Sequence, residues 1–398
     1  MSNILLGVML FGSTSVTCTI VLTYLKKAKN TVTTISDDLM FTCNQLIGNT
    51  PMIKLVRLSH ILNVDIYAKM ECNNPGGSGK DRAAKYMLYA ARNDPRFREN
   101  VDIVEGTSGS TGISLALQCR AMGCNLHVVM PDDQSQDKIN YLERLGAKVT
   151  VVPTCAIVNK NHYVNTARRL AVELNGIFID QFENPANYLA HYEGTGPEIW
   201  KQMNGQLDAF VMSAGTGGTI SGVSRYLKEK DPNVRIVLAD PCGSSLFNKV
   251  KHNVCYASQQ AESCIKKHRY DSIVEGVGLD RVTANFAKGL IDDAHCISDQ
   301  EIVNTAHWLL RNEGLFVGSS SALNVAAAIR TARNLSATSS SSSSDEKDGN
   351  NNNIEKRLRV VTVICESGSR HLSRFWNPAY ISSEYNLVWP EDSSLIQI

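Results

Sequence analysis

Short apolar runs alternate with helix-period segments through most of this chain, and that alternation constrains its fold more than any other feature. Val64–Glu71 (VDIYAKME), Val101–Gly106 (VDIVEG), Leu126–Pro131 (LHVVMP) and Ala147–Pro153 (AKVTVVP) read as strands, and Ile113–Met122 and Gln136–Leu145 as helices. The series resumes with Ala209–Ser213 (AFVMS) and Val234–Pro241 (VRIVLADP) and ends on Leu358–Cys365 (LRVVTVIC). A strand whose helix returns to a parallel neighbour must bury both faces of its sheet. The pattern therefore predicts an α/β protein of open, mostly parallel sheets with helices on both faces. With 398 residues and 43% hydrophobic content, the chain is long and apolar enough for two packed lobes.

Charge and cysteine usage exclude several function classes. Forty Lys and Arg against 39 Asp and Glu leave a net charge of +1, which is no electrostatic footprint for nucleic acid. The 11 cysteines are scattered and include no CxxC, so neither a disulfide scaffold nor a zinc site is expected. Each reads as a small buried hydrophobe in a reducing compartment, and no metal is expected. Ile4–Leu25 is apolar and uncharged, and Lys26, Lys27 and Lys29 follow it. Residues 1–29 read as an uncleaved membrane anchor with the body of the protein on the cytosolic side. The mitochondrial outer membrane is the expected address, with the endoplasmic reticulum membrane or the mitochondrial interior as alternatives. Residues 30–45 read as a linker, and the Ser/Asn-rich stretch 336–354 as a disordered insertion that cannot bury a core.

Four stretches carry chemistry-bearing residues. Asn73–Arg82 (NNPGGSGKDR) is a glycine-rich turn that delivers Lys80 to the mouth of a helix. Alone, it is more often a solvated surface turn than a reactive lysine. Glu105–Gly112 (EGTSGSTG) lies between a strand and a helix, where hydroxyls and free N–H groups suit a carboxylate as readily as they cap the helix. Ser213–Gly222 (SAGTGGTISG) also opens a helix. It matches neither nucleotide fingerprint, GxxxxGK[ST] or GxGxxG, but can cradle one phosphate monoester. Phe316–Asn324 (FVGSSSALN) repeats the theme, with hydroxyls that can cap a helix or hydrogen-bond a ring nitrogen.

A turn lysine, a carboxylate-type loop and a single-phosphate loop together point to pyridoxal phosphate. These stretches, with LIGNTPMIKL (Leu46–Leu55), QFENPANYLAHYEGTGPEI (Gln181–Ile199) and EGLFVGSSSA, resemble the cysteine synthase/cystathionine β-synthase family of fold-type II pyridoxal-phosphate enzymes. The resemblance runs in the family's order from about Leu46 to about Pro378. It implies that Lys80 carries the cofactor and removes the α-proton. It implies a phosphate loop at Gly215, Thr216, Gly217, Gly218 and Thr219, and a carboxylate site at Thr107, Ser108, Thr111 and Gln181. Ser320 matches the serine facing the pyridine nitrogen, a partner that does not enforce a protonated ring.

The reaction so implied is β-replacement, in which O-acetylserine or another activated serine and sulfide give L-cysteine. Cystathionine synthesis from serine and homocysteine is the alternative within the family. A membrane-tethered pseudoenzyme that binds the cofactor or a partner without turnover is the alternative outside it. The resemblance also implies a homodimer, a small mobile lobe over residues 75–184, and a large cofactor-binding lobe over residues 52–74 plus 185–380. Two departures stand out. Ser110 replaces the family's usual asparagine, which contacts the cofactor's phenolic oxygen, and Ser320, Ser321 and Ala322 replace its SSG or SAG.

Overall fold

The structure is a computed structural model that describes residues 43–257, 272–342 and 357–390. The chain divides into two units, Met1–Gln45 and Leu46–Ile398, and of the first only Cys43–Gln45 are described. In chain order the second unit runs β1 (Met52–Lys54), α1 (Val56–Leu62), β2 (Asp65–Met70), α2 (Lys80–Ala91), β3 (Asp102–Gly106), α3 (Ser110–Met122), β4 (Asn125–Pro131) and α4 (Gln136–Arg144). It continues β5 (Lys148–Val152), α5 (Tyr163–Glu173), β6 (Ile177–Phe178), α6 (Pro185–Ala190), a π-helical turn (His191–Thr195), α7 (Gly196–Gln202), β7 (Ala209–Ser213) and α8 (Gly218–Lys230). It ends β8 (Arg235–Pro241), α9 (Leu246–His252), β9 (Asp293–Ile297), α10 (Asp299–Glu313), α11 (Ser319–Ser342), β10 (Arg359–Ile364) and α12 (Pro378–Tyr385).

Among the described residues the strands form two sheets, ordered β1-β2-β10-β7-β8-β9 and β5-β4-β3-β6. Every pairing is parallel except β1 with β2. The last strand in sequence enters the middle of the larger sheet, where Arg359–Ile364 pairs with Asp65–Met70 on one side and β7 lies on the other. Its run RVVTVI explains the position. Val360 and Ile364 feed one core with Ile66, Val211 and Leu309, while Val361 and Val363 feed the opposite core with Phe210, Ile220 and Leu227. Thr362, buried in the same strand, donates its hydroxyl to the Val211 carbonyl at 2.9 Å. The smaller sheet follows the same period of two, with Ile103 and Val128 on the face toward α2 and α3 and Val104 and Val129 on the face toward α5. In a doubly covered parallel sheet, ligands bind beyond the carboxyl ends of the strands. Thr107, Ala214 and Cys365 follow directly on β3, β7 and β10.

The predicted strands recur with ends shifted by at most one residue. The short strands β1, β6 and β9 were not foreseen. Two have only three and two residues, and β9 (DAHCI) carries polar side chains that mask its period. One expectation needs correcting: residues 336–342 of the supposed insertion continue α11 to Ser342. Once the Ala-rich turns of α11 are packed, each added residue gains a hydrogen bond without a new nucleus. The rest of that stretch, and the expected anchor at residues 4–25, lie outside the described residues. Among the described residues no helix is long and apolar enough to cross a membrane.

Candidate active site

One cavity of about 560 Å³ collects Lys80, Thr107, Ser108, Ser110, Thr111, Gln181, Gly215, Thr216, Gly217, Thr219 and Ser320. Gly218, also singled out from sequence, is buried at the start of α8. The four stretches thus converge although up to 240 residues separate Lys80 from Ser320.

Lys80 is the first residue of α2. The turn before it is braced by Asp81, whose carboxylate accepts from the Gly76 N–H at 2.6 Å and from the Ser114 hydroxyl at 2.5 Å. Burial lowers the Lys80 pKa below the ordinary lysine value, while Cys365 and Glu366 oppose the shift. An amine desolvated in this way spends more time unprotonated, the form able to act as nucleophile or base.

The Gly215–Thr219 loop is fixed from several sides. Gly217 has φ +83°, and a Cβ there would lie 2.5 Å from the Cβ of Phe286. A Cβ on Gly218 would meet Asn187 Oδ1 at 2.2 Å. Only glycine permits that approach and that backbone. Asn187 donates to Thr216 Oγ1 at 2.9 Å and to the Gln181 carbonyl at 2.8 Å. Thr219 Oγ1 lies 3.1 Å from Nε2 of His191, whose Nδ1 meets Thr195 Oγ1 at 2.9 Å. Burial pushes the His191 pKa down to about 3, so a neutral imidazole with both nitrogens engaged backs the loop. Ser213, just before the loop, is buried and lines the cavity, and its Oγ has no hydrogen-bond partner among the described residues.

On the opposite wall, Thr107 Oγ1 accepts from the Gly109 N–H at 3.1 Å. Thr111 donates to Gln181 Oε1 at 2.6 Å, and Gln181 Nε2 donates to the Gly106 carbonyl at 2.9 Å. Thr111 and Gln181 therefore brace the loop through each other. Ser110 donates across the cavity to Glu366 Oε2 at 3.0 Å. Burial raises the pKa of the Cys365 thiol and Ser320 opposes the rise, and that thiol accepts from Asn324 Nδ2 at 3.3 Å. Ser321 stitches α11 to the end of β10: its hydroxyl accepts from the Cys365 N–H at 2.9 Å and donates to the Glu366 carbonyl at 3.2 Å.

Two charged clusters escaped sequence reading. Beneath Lys80, Arg82 grips Glu71 with Nε and Nη2 at 2.7 and 2.8 Å, and Glu198 with Nη1 and Nη2 at 2.6 and 2.7 Å. Lys69, fully buried, donates to Glu198 at 2.7 Å. Buried charges persist only when paired in this manner. Arg82 and Glu198 fall inside the quoted motifs, but nothing in those motifs says that they meet. The second cluster places His371 between Glu366 (2.8 Å) and Glu275 (3.4 Å), with Lys138 paired to Glu275. Burial disfavours the imidazolium, but the two carboxylates outweigh it and push the His371 pKa up to about 9. Glu366 in turn is held down to about 2, mainly by His371 against its own burial. No local sequence signal marks Glu275, Glu366 or His371.

Residues 43–341 match the family model described as pyridoxal-phosphate dependent enzyme, and the chain belongs to that family. It is 43% identical to the Schizosaccharomyces pombe protein "Cysteine synthase 2", covering 93% of this chain and 91% of that protein. It is 44% identical to the Saccharomyces cerevisiae protein "Putative mitochondrial cysteine synthase", covering 84% of each. Among solved structures, an O-acetylserine dependent cystathionine β-synthase from Helicobacter pylori superposes with a TM-score of 0.69 at 29% identity, over 84% of this chain and 98% of that one. The fold is thus the fold-type II α/β architecture, and the cofactor of the family is pyridoxal 5'-phosphate.

The residues present fit that cofactor. The cavity holds a lysine of lowered pKa, a helix-start loop whose Gly215, Gly217 and Gly218 leave no room for a Cβ, and the orphaned Ser213 hydroxyl. The expected address at the mitochondrial outer membrane, facing the cytosol, is corrected: a relative alike over 84% of its length bears a mitochondrial name.

Proposed function

We propose that this enzyme makes L-cysteine by β-replacement, joining sulfide to O-acetylserine or another activated serine. The observation that carries the reading is the single cavity uniting Lys80, the Gly215–Thr219 loop, the Thr107–Thr111 loop and Ser320. Pyridoxal phosphate, when bound, supplies a carbonyl that condenses with amines and an electron sink for the pair freed at the α-carbon. Lys80 would hold the cofactor and would accept the α-proton of the amino acid. Desolvation keeps its amine available for both tasks. Gly215–Thr219 offer N–H groups and two threonine hydroxyls to the phosphate at the start of α8. Thr107, Ser108, Thr111 and Gln181 receive the substrate carboxylate. Ser320 offers the ring nitrogen a hydroxyl and not a carboxylate, which favours loss of the β-substituent over transamination.

Residues 75–184 form the mobile lobe of this proposal, moving against 52–74 plus 185–380. Ser110–Glu366 and Lys138–Glu275 join the two parts near the cavity. Those contacts would exclude water while the β-carbon is reactive. A homodimer, measurable by light scattering, and a mitochondrial address belong to the same reading. The test pairs O-acetylserine or serine with sulfide or homocysteine on the purified holoenzyme. Cysteine formed fastest from O-acetylserine and sulfide is the expected result. Faster cystathionine formation, or no turnover with the cofactor bound, would overturn the proposal.

A further inference from the structure

Away from the cavity-lining residues, two thiols from different strands meet. Cys242 follows the last residue of β8, and Cys296 lies within β9, 54 positions later in sequence. The parallel register sets Asp240 opposite Cys296 and Pro241 opposite Ile297, and the Cys242 N–H donates to the Ile297 carbonyl at 3.3 Å. The backbone of both residues is therefore held by the sheet. Their Sγ atoms lie 3.0 Å apart, so a shift of only about 1 Å would reach the length of a disulfide bond. Cys242 is exposed and Cys296 half-buried, which leaves the first open to a small reagent from solvent.

We propose that Cys242 and Cys296 are a reversible thiol–disulfide site whose reagent is a low-molecular-weight disulfide of the glutathione type. The roles of the two sulfurs differ. The pairing with Cys296 lowers the pKa of Cys242 to about 7, helped by Arg330 and opposed by burial, Asp299 and Asp240. The same pairing pushes Cys296 up. Cys242, the more exposed of the two and the one whose pKa falls, is the attacking thiolate, and Cys296 the resolving thiol. In the first step the Cys242 sulfur bonds to one sulfur of the reagent, and the other leaves as a thiolate. In the second, Cys296 loses its proton and attacks the Cys242 sulfur, releasing the second reagent thiolate. The protein gives up two electrons and two protons, and the reagent becomes two thiols.

The site adjoins the cavity wall without forming part of the proposed machinery. Two residues beyond Cys242, Ser244 Oγ accepts from the Leu279 N–H and donates to the Leu279 carbonyl, both at 3.2 Å, and Leu279 lines the cavity. The inference is independent of which amino acid the enzyme converts.

The test equilibrates the full-length holoenzyme with glutathione and glutathione disulfide at graded ratios, blocks free thiols with iodoacetamide and maps the peptides by mass spectrometry. At oxidising ratios alkylation of both cysteines is expected to be lost together. A peptide pair joining Cys242 to Cys296 should appear, two hydrogens lighter than the reduced peptides, and revert on adding glutathione. Cys296→Ser should trap glutathione on Cys242, whereas Cys242→Ser should leave Cys296 alkylated as before. Two thiols that stay fully alkylatable in the wild type under oxidising ratios, or a Cys242 joined to another cysteine, would overturn the proposal whether or not either variant folds.

Discussion

Two corners of this molecule are built to one plan and finished differently. At each, a parallel strand ends, a glycine-containing turn follows, and a helix begins: β3 into α3 through Thr107–Gly109, and β7 into α8 through Ala214–Gly217. At the second corner the space around the glycines is occupied by fixed atoms, such as the Phe286 backbone 2.6 Å from a Cβ on Gly217 and the Asn187 amide against Gly218. At the first, Gly109 also has a positive φ, +140°, but the nearest atoms to a Cβ there belong to the Lys138 side chain, at 3.0 Å from its Cδ. The α8 corner is also backed by a neutral, doubly bonded His191, whereas the α3 corner reaches the facing strand through Ser110 and Glu366. One corner is a rigid cradle, suited to a group that stays. The other is tied across the cavity by side chains, Ser110 to Glu366 and Lys138 to Glu275, which suits the mobile lobe we propose and a substrate that comes and goes.

Lys80 stands between the corners and tests whether they serve one centre. Lys80→Ala should leave the fold intact and reduce turnover by about 10³-fold or more, because alanine supplies neither the amine nor the base. Borohydride reduction of the wild-type holoenzyme followed by peptide mapping should place the cofactor on Lys80. Label on another lysine would separate the corners from the chemistry assigned to them.

The second prediction breaks the link that the mobile corner makes with the facing strand. His371 is raised from its ordinary 6.5 to about 9 by the Glu366 and Glu275 carboxylates. A raised histidine contributes its stabilisation in full below the unfolded pKa and loses it as pH rises through the folded one. Stability should therefore fall between pH 6.5 and about 9 by up to about 3 kcal/mol, measured by urea unfolding across that range. His371→Gln should flatten that part of the profile. A wild-type profile that is already flat would show that Lys138, Arg370 and Arg374 neutralise the two carboxylates without the imidazolium.

A matched pair of glycine substitutions sharpens the comparison directly. Gly217→Ala places a side chain in a left-handed backbone against immovable atoms, and strain of that order should weaken cofactor binding roughly 10- to 100-fold. Gly109→Ala strains a backbone at φ +140° and presses on Lys138, which pairs with Glu275, so it should act mainly on KM for the amino acid and leave cofactor affinity within about threefold. Equilibrium dialysis of the cofactor and steady-state kinetics separate the two outcomes. Equal losses of cofactor at both positions would refute the division into rigid and mobile corners.

What could be read from sequence divides along the same physical line. The strands around the cavity, Lys80 and both loops are local patterns: an apolar run, a glycine turn, a helix start. The strands are legible because each pattern is complete within about ten residues, whereas Lys80 and the loops are ambiguous singly and gain a reading only together and through the family resemblance. The Glu71–Arg82–Glu198–Lys69 cluster and the Glu366–His371–Glu275–Lys138 cluster are assembled by tertiary folding from segments up to 233 positions apart (Lys138 to His371), and no spacing rule encodes them. The antiparallel β1 and the two-residue β6 are too short to show a period. The helical continuation to Ser342 was hidden because serine-rich composition suggests disorder unless a packed helix precedes it.

The smallest predicted effect lies at Ser110, where the mobile corner departs from its family. Its hydroxyl donates to Glu366 Oε2 at 3.0 Å, so the residue is already engaged across the cavity. An asparagine amide carries two donors. One can keep Glu366 while the other serves the cofactor's phenolic oxygen, the contact that the family resemblance implies. A donor to a charged acceptor contributes roughly 1.5–3 kcal/mol, but a bridging water recovers much of that for serine. The net gain should stay below about 1 kcal/mol, or about fivefold in rate. We therefore expect Ser110→Asn to speed the first half-reaction with O-acetylserine about two- to fivefold in single-turnover absorbance traces, with cofactor affinity little changed. A slower rate would mean that the Ser110–Glu366 hydrogen bond, and not a donor to the cofactor, is what this corner requires. It would turn Ser110 from a weakened contact into a part of the closing device, and the two corners would differ in purpose as well as in rigidity.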